Sequence, residues 1–88
     1  MITIEQTLET KSISAIAKFI KQDWKNVCFG AQPYLDAMLK IENISDDYYL
    51  DSGESIVNYF LANASTYRGA NAKQIKQHLK NLIKENRN

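Results

Sequence analysis

Apolar residues recur at helical spacing along most of the chain. Between Ser12 and Val27, the residues Ile13, Ile16, Ala17, Ile20, Trp24 and Val27 fall within about 100° of arc on a helical wheel. That pattern predicts a helix over 12–27 with one buried stripe. Ser12 is its expected N-cap, the hydroxyl accepting from a free amide of the first turn. Phe29-Gly30-Ala31-Gln32 interrupts the pattern, and Pro33 restarts it in the first helical turn, where proline costs least. From 33 to 42 only Asp36, Lys40 and Glu42 break an otherwise apolar set, so the second helix is expected to be buried on most sides. Residues 43–51 hold acids, amides and two tyrosines without a helical period and read as a loop.

A third helix is expected over 52–68. Asp51 or Ser52 caps it, Glu54 sits where the helix dipole favours an anion, and no residue from Ser55 to Tyr67 is charged. Ile56, Val57, Phe60, Leu61, Ala64 and Tyr67 cover about 140° of its surface, which marks it as the element the others pack around. Gly69 is its expected C-terminal cap. The fourth helix, 71–86, buries Ala72, Ile75, Leu79, Leu82 and Ile83. The prediction is an all-α bundle of four main helices at 12–27, 33–42, 52–68 and 71–86.

Before them, Thr3-Ile4-Glu5-Gln6 has the form of a capping box and Ile4/Leu8 that of an i,i+4 pair, so a short extra N-terminal helix is expected; a frayed arm or a strand suits the same residues. The organisation expected is an N-terminal arm at 1–10 and one helical domain at 11–88. With 88 residues there is room for a single domain, and a chain of this size buries roughly 60% of its unfolded surface. No apolar run approaches a membrane span, and Glu5, Glu9, Lys11 and Lys18 break up the first twenty residues, unlike a signal peptide. One cysteine, Cys28, supplies neither a disulfide framework nor a thiolate metal site. A cytoplasmic location is the expectation.

The net charge of +1 conceals a polar layout. Residues 1–30 carry four lysines against three acids, residues 31–60 one lysine against six acids, and residues 61–88 six cations against Glu85 alone; the three segments therefore carry +1, −5 and +5. Lys73, Lys76, Lys80, Lys84 and Arg87 share about 80° of the last helix, beside its apolar face. Such a stripe suits phosphate contact, because cations that neutralise a phosphate backbone release counterions. Lys18, Lys21 and Lys25 add a weaker cluster, and 52–86 has the outline of a helix-turn-helix. Against this stand the neutral total, the lack of arginine before Arg87 in the last helix, and the frequency with which lysine-rich faces serve only solubility.

Catalytic chemistry is thinly supplied. His78 is the sole histidine and lies just beyond the apolar stripe, where a boundary residue is the plain reading. Cys28, next to Phe29, reads as a small core residue. The acidic run 46–54 lacks the ligand ladder of an EF-hand and reads as a solvated loop and helix cap. Arg68, in the polar junction 65–69, is expected to reach an acid of the 46–51 loop. No catalytic, metal-binding or cofactor-binding residue is assigned, and no cofactor is expected. Tyr48 and Tyr49, two aromatics in a loop, are the candidates for a protein interface.

Asp23-Trp24-Lys25, Ala31 to Met38 (AQPYLDAM) and Asp51 to Gly69 (DSGESIVNYFLANASTYRG), followed by Ala72-Lys73-Gln74-Ile75-Lys76, resemble a family of short uncharacterised proteins from bacteria, phages and other mobile elements. The resemblance spans about Ser12 to Leu82, with NASTYRG its most specific part; residues 1–10 fall outside it. It implies a setting, a small accessory protein acting on a host or element-encoded partner, and no activity. The expected function is accordingly a non-enzymatic interaction protein that binds another protein. Nucleic-acid binding through the last helix is the alternative, and self-association through uncovered apolar surface a third reading.

Overall fold

Five helices and one minimal hairpin make up the computed structural model, which describes residues 3–87. Met1, Ile2 and Asn88, at the outer ends of the expected arm and domain, lie outside the described residues. The helices are α1 (Ile4–Glu9), α2 (Ile13–Asp23), α3 (Gln32–Met38), α4 (Gly53–Ala62) and α5 (Ala70–Arg87); β1 (Asp47–Tyr48) and β2 (Asp51–Ser52) pair antiparallel between α3 and α4.

The capping signals act locally as expected. Thr3 and Gln6 form a reciprocal capping box on α1, and the Ser12 and Ser52 hydroxyls accept from Ala15 and Ser55 amides. α1 is docked on α2 and α5, with Thr7 buried and its hydroxyl donating to the Thr3 carbonyl at 2.9 Å.

Three of the expected helices end early, each for a visible reason. α2 stops at Asp23, not Val27, because Trp24 takes extended backbone (φ −95°, ψ 92°) and turns its ring into the core. α3 stops at Met38; Lys40 and Ile41 amides reach back three residues in tight turns that bury Ile41. α4 stops at Ala62, well short of 68. There the Asn63 side-chain amide donates to the Tyr59 carbonyl at 2.8 Å, occupying the acceptor that the next helical turn would use. Ala64 and Tyr67 are nonetheless buried, carried inward by the 63–69 turn. That connection exceeds the roughly three to four residues of a helix-turn-helix, so the outline expected over 52–86 is not formed.

The shortened α4 shares its expected central role with α2. α4 packs on α3, α5 and β2, whereas α2 packs on α1, α3 and α5 and buries Ile13, Ile16, Ala17, Phe19 and Ile20. The expected loop over 43–51 contains the hairpin. Asp46 organises its base, its carboxylate accepting from the Glu42 and Asn43 amides at 3.2 and 2.9 Å. Gly53 then locks the hairpin to α4: its amide donates to the Asp46 carbonyl at 2.6 Å, and a Cβ there would stand 2.8 and 2.9 Å from the carbonyl oxygens of Ile44 and Asp46. Only glycine permits that approach.

Candidate functional site

Asp23, Trp24, Phe60, Tyr67 and Asn71, from four separate parts of the chain, meet at one place. Trp24 stacks on Tyr67, centroids 5.1 Å apart and planes 16° apart, and meets Phe60 edge-on at 6.2 Å. The Tyr67 hydroxyl donates to Asp23 Oδ2 at 2.8 Å, while Asn71 Nδ2 donates to Asp23 Oδ1 at 3.3 Å. Asp23 thus ties the end of α2 to the 63–69 turn and the start of α5. With Trp24 and Tyr67 both buried, this cluster is a brace and offers no open cavity.

Burial first, then the hydrogen bond to Asp23 and that group's charge, push the Tyr67 phenol far above its ordinary value of 10.0. Folding therefore favours the neutral ring. The stability this gives is complete below pH 10 and is lost as pH rises above it, because the unfolded chain gives up the proton first. Urea unfolding between pH 8 and 11 is expected to show a steeper alkaline loss for wild type than for Tyr67→Phe; equal slopes would refute this origin of the alkaline sensitivity.

The structure sorts the cations. Arg87, counted in the basic stripe from the sequence, is held by Glu54 at 3.1 Å, and this bond, aided by Asn86, keeps the Glu54 carboxyl below the usual carboxylate range against the opposing effect of burial. Lys11 pairs with Glu85 at 3.5 Å and Lys21 with Asp36 at 3.7 Å. Lys73, Lys76, Lys80 and Lys84 make no ion pair among the described residues, as is true of Lys18 and Lys25. Lys76 lies 5.8 Å above the Tyr67 ring; burial, followed by the charges of Lys80 and Arg68, lowers its pKa. Arg68 does not reach the acidic loop. Its Nε donates to the nearby Ser65 carbonyl at 3.3 Å, leaving its charge at the α5 end of the brace.

The two loop tyrosines have different fates. Tyr48 is half-buried against the core, whereas Tyr49 is 87% exposed and Leu50 beside it fully so. Tyr49 occupies the left-handed region at φ 56°, which turns the chain between β1 and β2 and holds the Tyr49 ring edge-on against Tyr48, 4.7 Å away. Asp47 and Asp51 flank this apolar tip and are exposed. Leu50 was not singled out by sequence reading; its signal is the apolar run Tyr48-Tyr49-Leu50 between two aspartates, which a two-residue hairpin turn splits into one inward and two outward positions. Another exposed aromatic was also missed: Phe29 is 96% exposed, while Tyr59, 47% exposed, leans on Tyr34 at 5.4 Å. Phe29 opens the glycine-containing break, which gives no facing information.

The side chains with nucleophilic or basic chemistry are tied to backbone in separate parts of the fold. His78 Nε2 lies 2.7 Å from the Thr10 carbonyl, and Cys28 Sγ donates to the Asn63 carbonyl at 3.0 Å. Among the described residues no group of three His, Cys, Asp or Glu side chains is placed to hold a metal, and no helix is long and apolar enough to cross a membrane. A shallow cleft of about 200 Å³ between the 43–45 loop and Leu82 is walled by the Lys11–Glu85 pair. No family model, curated protein or solved structure matches the chain.

Proposed function

We propose that the chain is a non-enzymatic, cytoplasmic interaction domain that binds another protein through the hairpin tip, with Tyr49 and Leu50 as anchors and Tyr48 as the internal support. The observation that carries this reading is the adjacent full exposure of Leu50 and near-full exposure of Tyr49 on a hairpin whose base is braced by Asp46 and Gly53. Large apolar side chains held rigidly in water bind at low entropic cost. Asp47 and Asp51 beside them specify the partner's chemistry: an apolar pocket with a basic rim. The backbone commitments of His78 and Cys28 support the non-enzymatic part, and the lone cysteine fits a reducing cytoplasm. The resemblance to bacterial and mobile-element proteins makes an accessory role toward a host or element-encoded partner part of the same proposal.

A photo-crosslinking residue at position 50 is expected to capture one protein in the producing cells, and the same probe at Lys18 is not. The purified captured protein is then titrated with wild type and with Leu50→Asp. A loss of about 30-fold, the size of an interface hot spot, supports the reading. Equal capture from both positions, or equal affinity of both variants, overturns it. Concentration-dependent sedimentation abolished by Leu50→Asp would make the partner a second copy of this chain and likewise overturn it.

A further inference from the structure

A second surface, independent of the hairpin tip, lies along α5. Lys73, Lys76, Lys80 and Lys84 stand on one side of a single helix of 18 residues. At about 1.5 Å of rise per residue they advance in steps of about 4.5, 6 and 6 Å and span about 16 Å. A duplex carries a continuous series of phosphates along each strand, so a row of this length can lie against several of them with one lysine to a phosphate. The remaining charges keep clear of it. Glu85, the one acid of the helix, is drawn to Lys11, and Arg87 to Glu54, so neither neutralises nor extends the row.

Lys76, half-buried and seated 5.8 Å over the Tyr67 ring, ties the N-terminal half of the row to the body of the domain, and Arg68 adds a cation just before the helix begins. Two observations choose among polyanions. The aromatic ring under the row, Tyr67 beneath Lys76, is buried, so it offers no platform on which an unpaired base could stack. Beside the row, Gln77 Nε2 donates to Asn81 Oδ1 at 3.1 Å, so these amides are turned to each other instead of to base edges or a 2′-hydroxyl.

We propose that the α5 row Lys73, Lys76, Lys80 and Lys84 binds the phosphate backbone of double-stranded DNA without reading its sequence. The row works by neutralising phosphates one lysine at a time, and the measurable consequence is the salt dependence.

The test is fluorescence anisotropy of a labelled 24-base-pair DNA against wild type, the stripe variant Lys73→Gln/Lys80→Gln/Lys84→Gln, and a control with the same charge change off the stripe, Lys18→Gln/Lys25→Gln/Lys40→Gln, which leaves the Lys11–Glu85 pair intact. All six lysines are exposed, and circular dichroism of each variant verifies the fold. Four phosphate contacts predict a slope of log affinity against log salt of roughly −3.6, or about a 100-fold loss between about 50 and 200 mM salt. The stripe variant is expected to lose most of that slope and the control to keep it. Absence of binding at the lower salt, an equal loss in the control, or tighter binding of single-stranded DNA, double-stranded RNA or polyglutamate than of the duplex each overturns the proposal.

Discussion

Phe60→Ala is expected to destabilise the domain by about 3–5 kcal/mol and to lower Tm by at least about 12 °C. Phe60 is fully buried on α4 and is the largest of the completely enclosed side chains. It lies on the one helix that joins α3, α5 and the hairpin, and its ring meets Trp24 across from α2. Truncation removes contacts on all these sides at once, and the backbone around it, pinned by the Asn63 and Gly53 hydrogen bonds, has little freedom to collapse into the void. A domain of this length has about 4–13 kcal/mol of stability in total, so the variant is expected to be substantially unfolded near 37 °C. Asn58→Ala, on the exposed side of the same helix, is the comparison and is expected to stay within about 0.5 kcal/mol of wild type. A Phe60→Ala melt within two or three degrees of wild type would show that α4 is peripheral.

Helix existence was legible because burial depends on spacing: the α5 stripe read from the sequence is the set the fold encloses, and in α2 Ile13, Ile16, Ala17 and Ile20 are enclosed as read, joined by Phe19, which the stripe omitted, while Val27 is only partly buried. Helix starts were legible where Thr3, Ser12 and Ser52 act on amides a few residues away, and the end of α5 fell within one residue of expectation. The C-terminal ends of α2, α3 and α4 were misplaced because long-range or side-chain partners decide them. Trp24 continues the apolar stripe of α2 on paper and leaves the helix to stack on Tyr67, a residue 43 positions away. Asn63 is neutral to a periodicity count and terminates α4 with its own amide. The same distinction governs the surfaces. The lysine row is a local, periodic feature and was read correctly as one face, but the removal of Arg87 from it by Glu54 is a contact between the start of α4 and the end of α5. The hairpin tip was narrowed to Tyr48 and Tyr49, yet which of them faces outward depends on one left-handed residue, and Leu50 enters only through that turn.

Position 53 connects fold and tip. The acidic segment 46–51 is held against α4 because Gly53 admits two carbonyl oxygens within 3 Å of where a Cβ would stand. The exposed Tyr49 and Leu50 are therefore presented on a fixed base, and in the proposed interface binding would not have to order a loose loop. The brace at the opposite side, Asp23–Tyr67–Asn71, does the same for the start of α5 and the Lys76 end of the basic row. Two separate constraints thus hold two oppositely charged surfaces.

Trp24→Ala is the variant that tests this second constraint, and it is expected to cost about 3–5 kcal/mol, with Trp24→Phe recovering most of the loss. Area alone would account for part of the effect: Trp24 is 7% exposed and contacts both Phe60 and Tyr67. The distinguishing readout is Tyr67. Its phenol is raised chiefly by burial, and the indole stacked on its face supplies much of that burial. Removing the indole admits water to the ring, so the phenol is expected to ionise closer to its ordinary value and the alkaline loss of stability to flatten toward that of Tyr67→Phe. Because Trp24 and Phe60 touch, Trp24→Ala/Phe60→Ala is expected to cost less than the sum of the single variants, the second truncation enlarging a void already present. Full additivity, together with an unchanged alkaline limb in Trp24→Ala, would mean that the ring only fills space and that the 63–69 turn is held by the Asp23 hydrogen bonds alone.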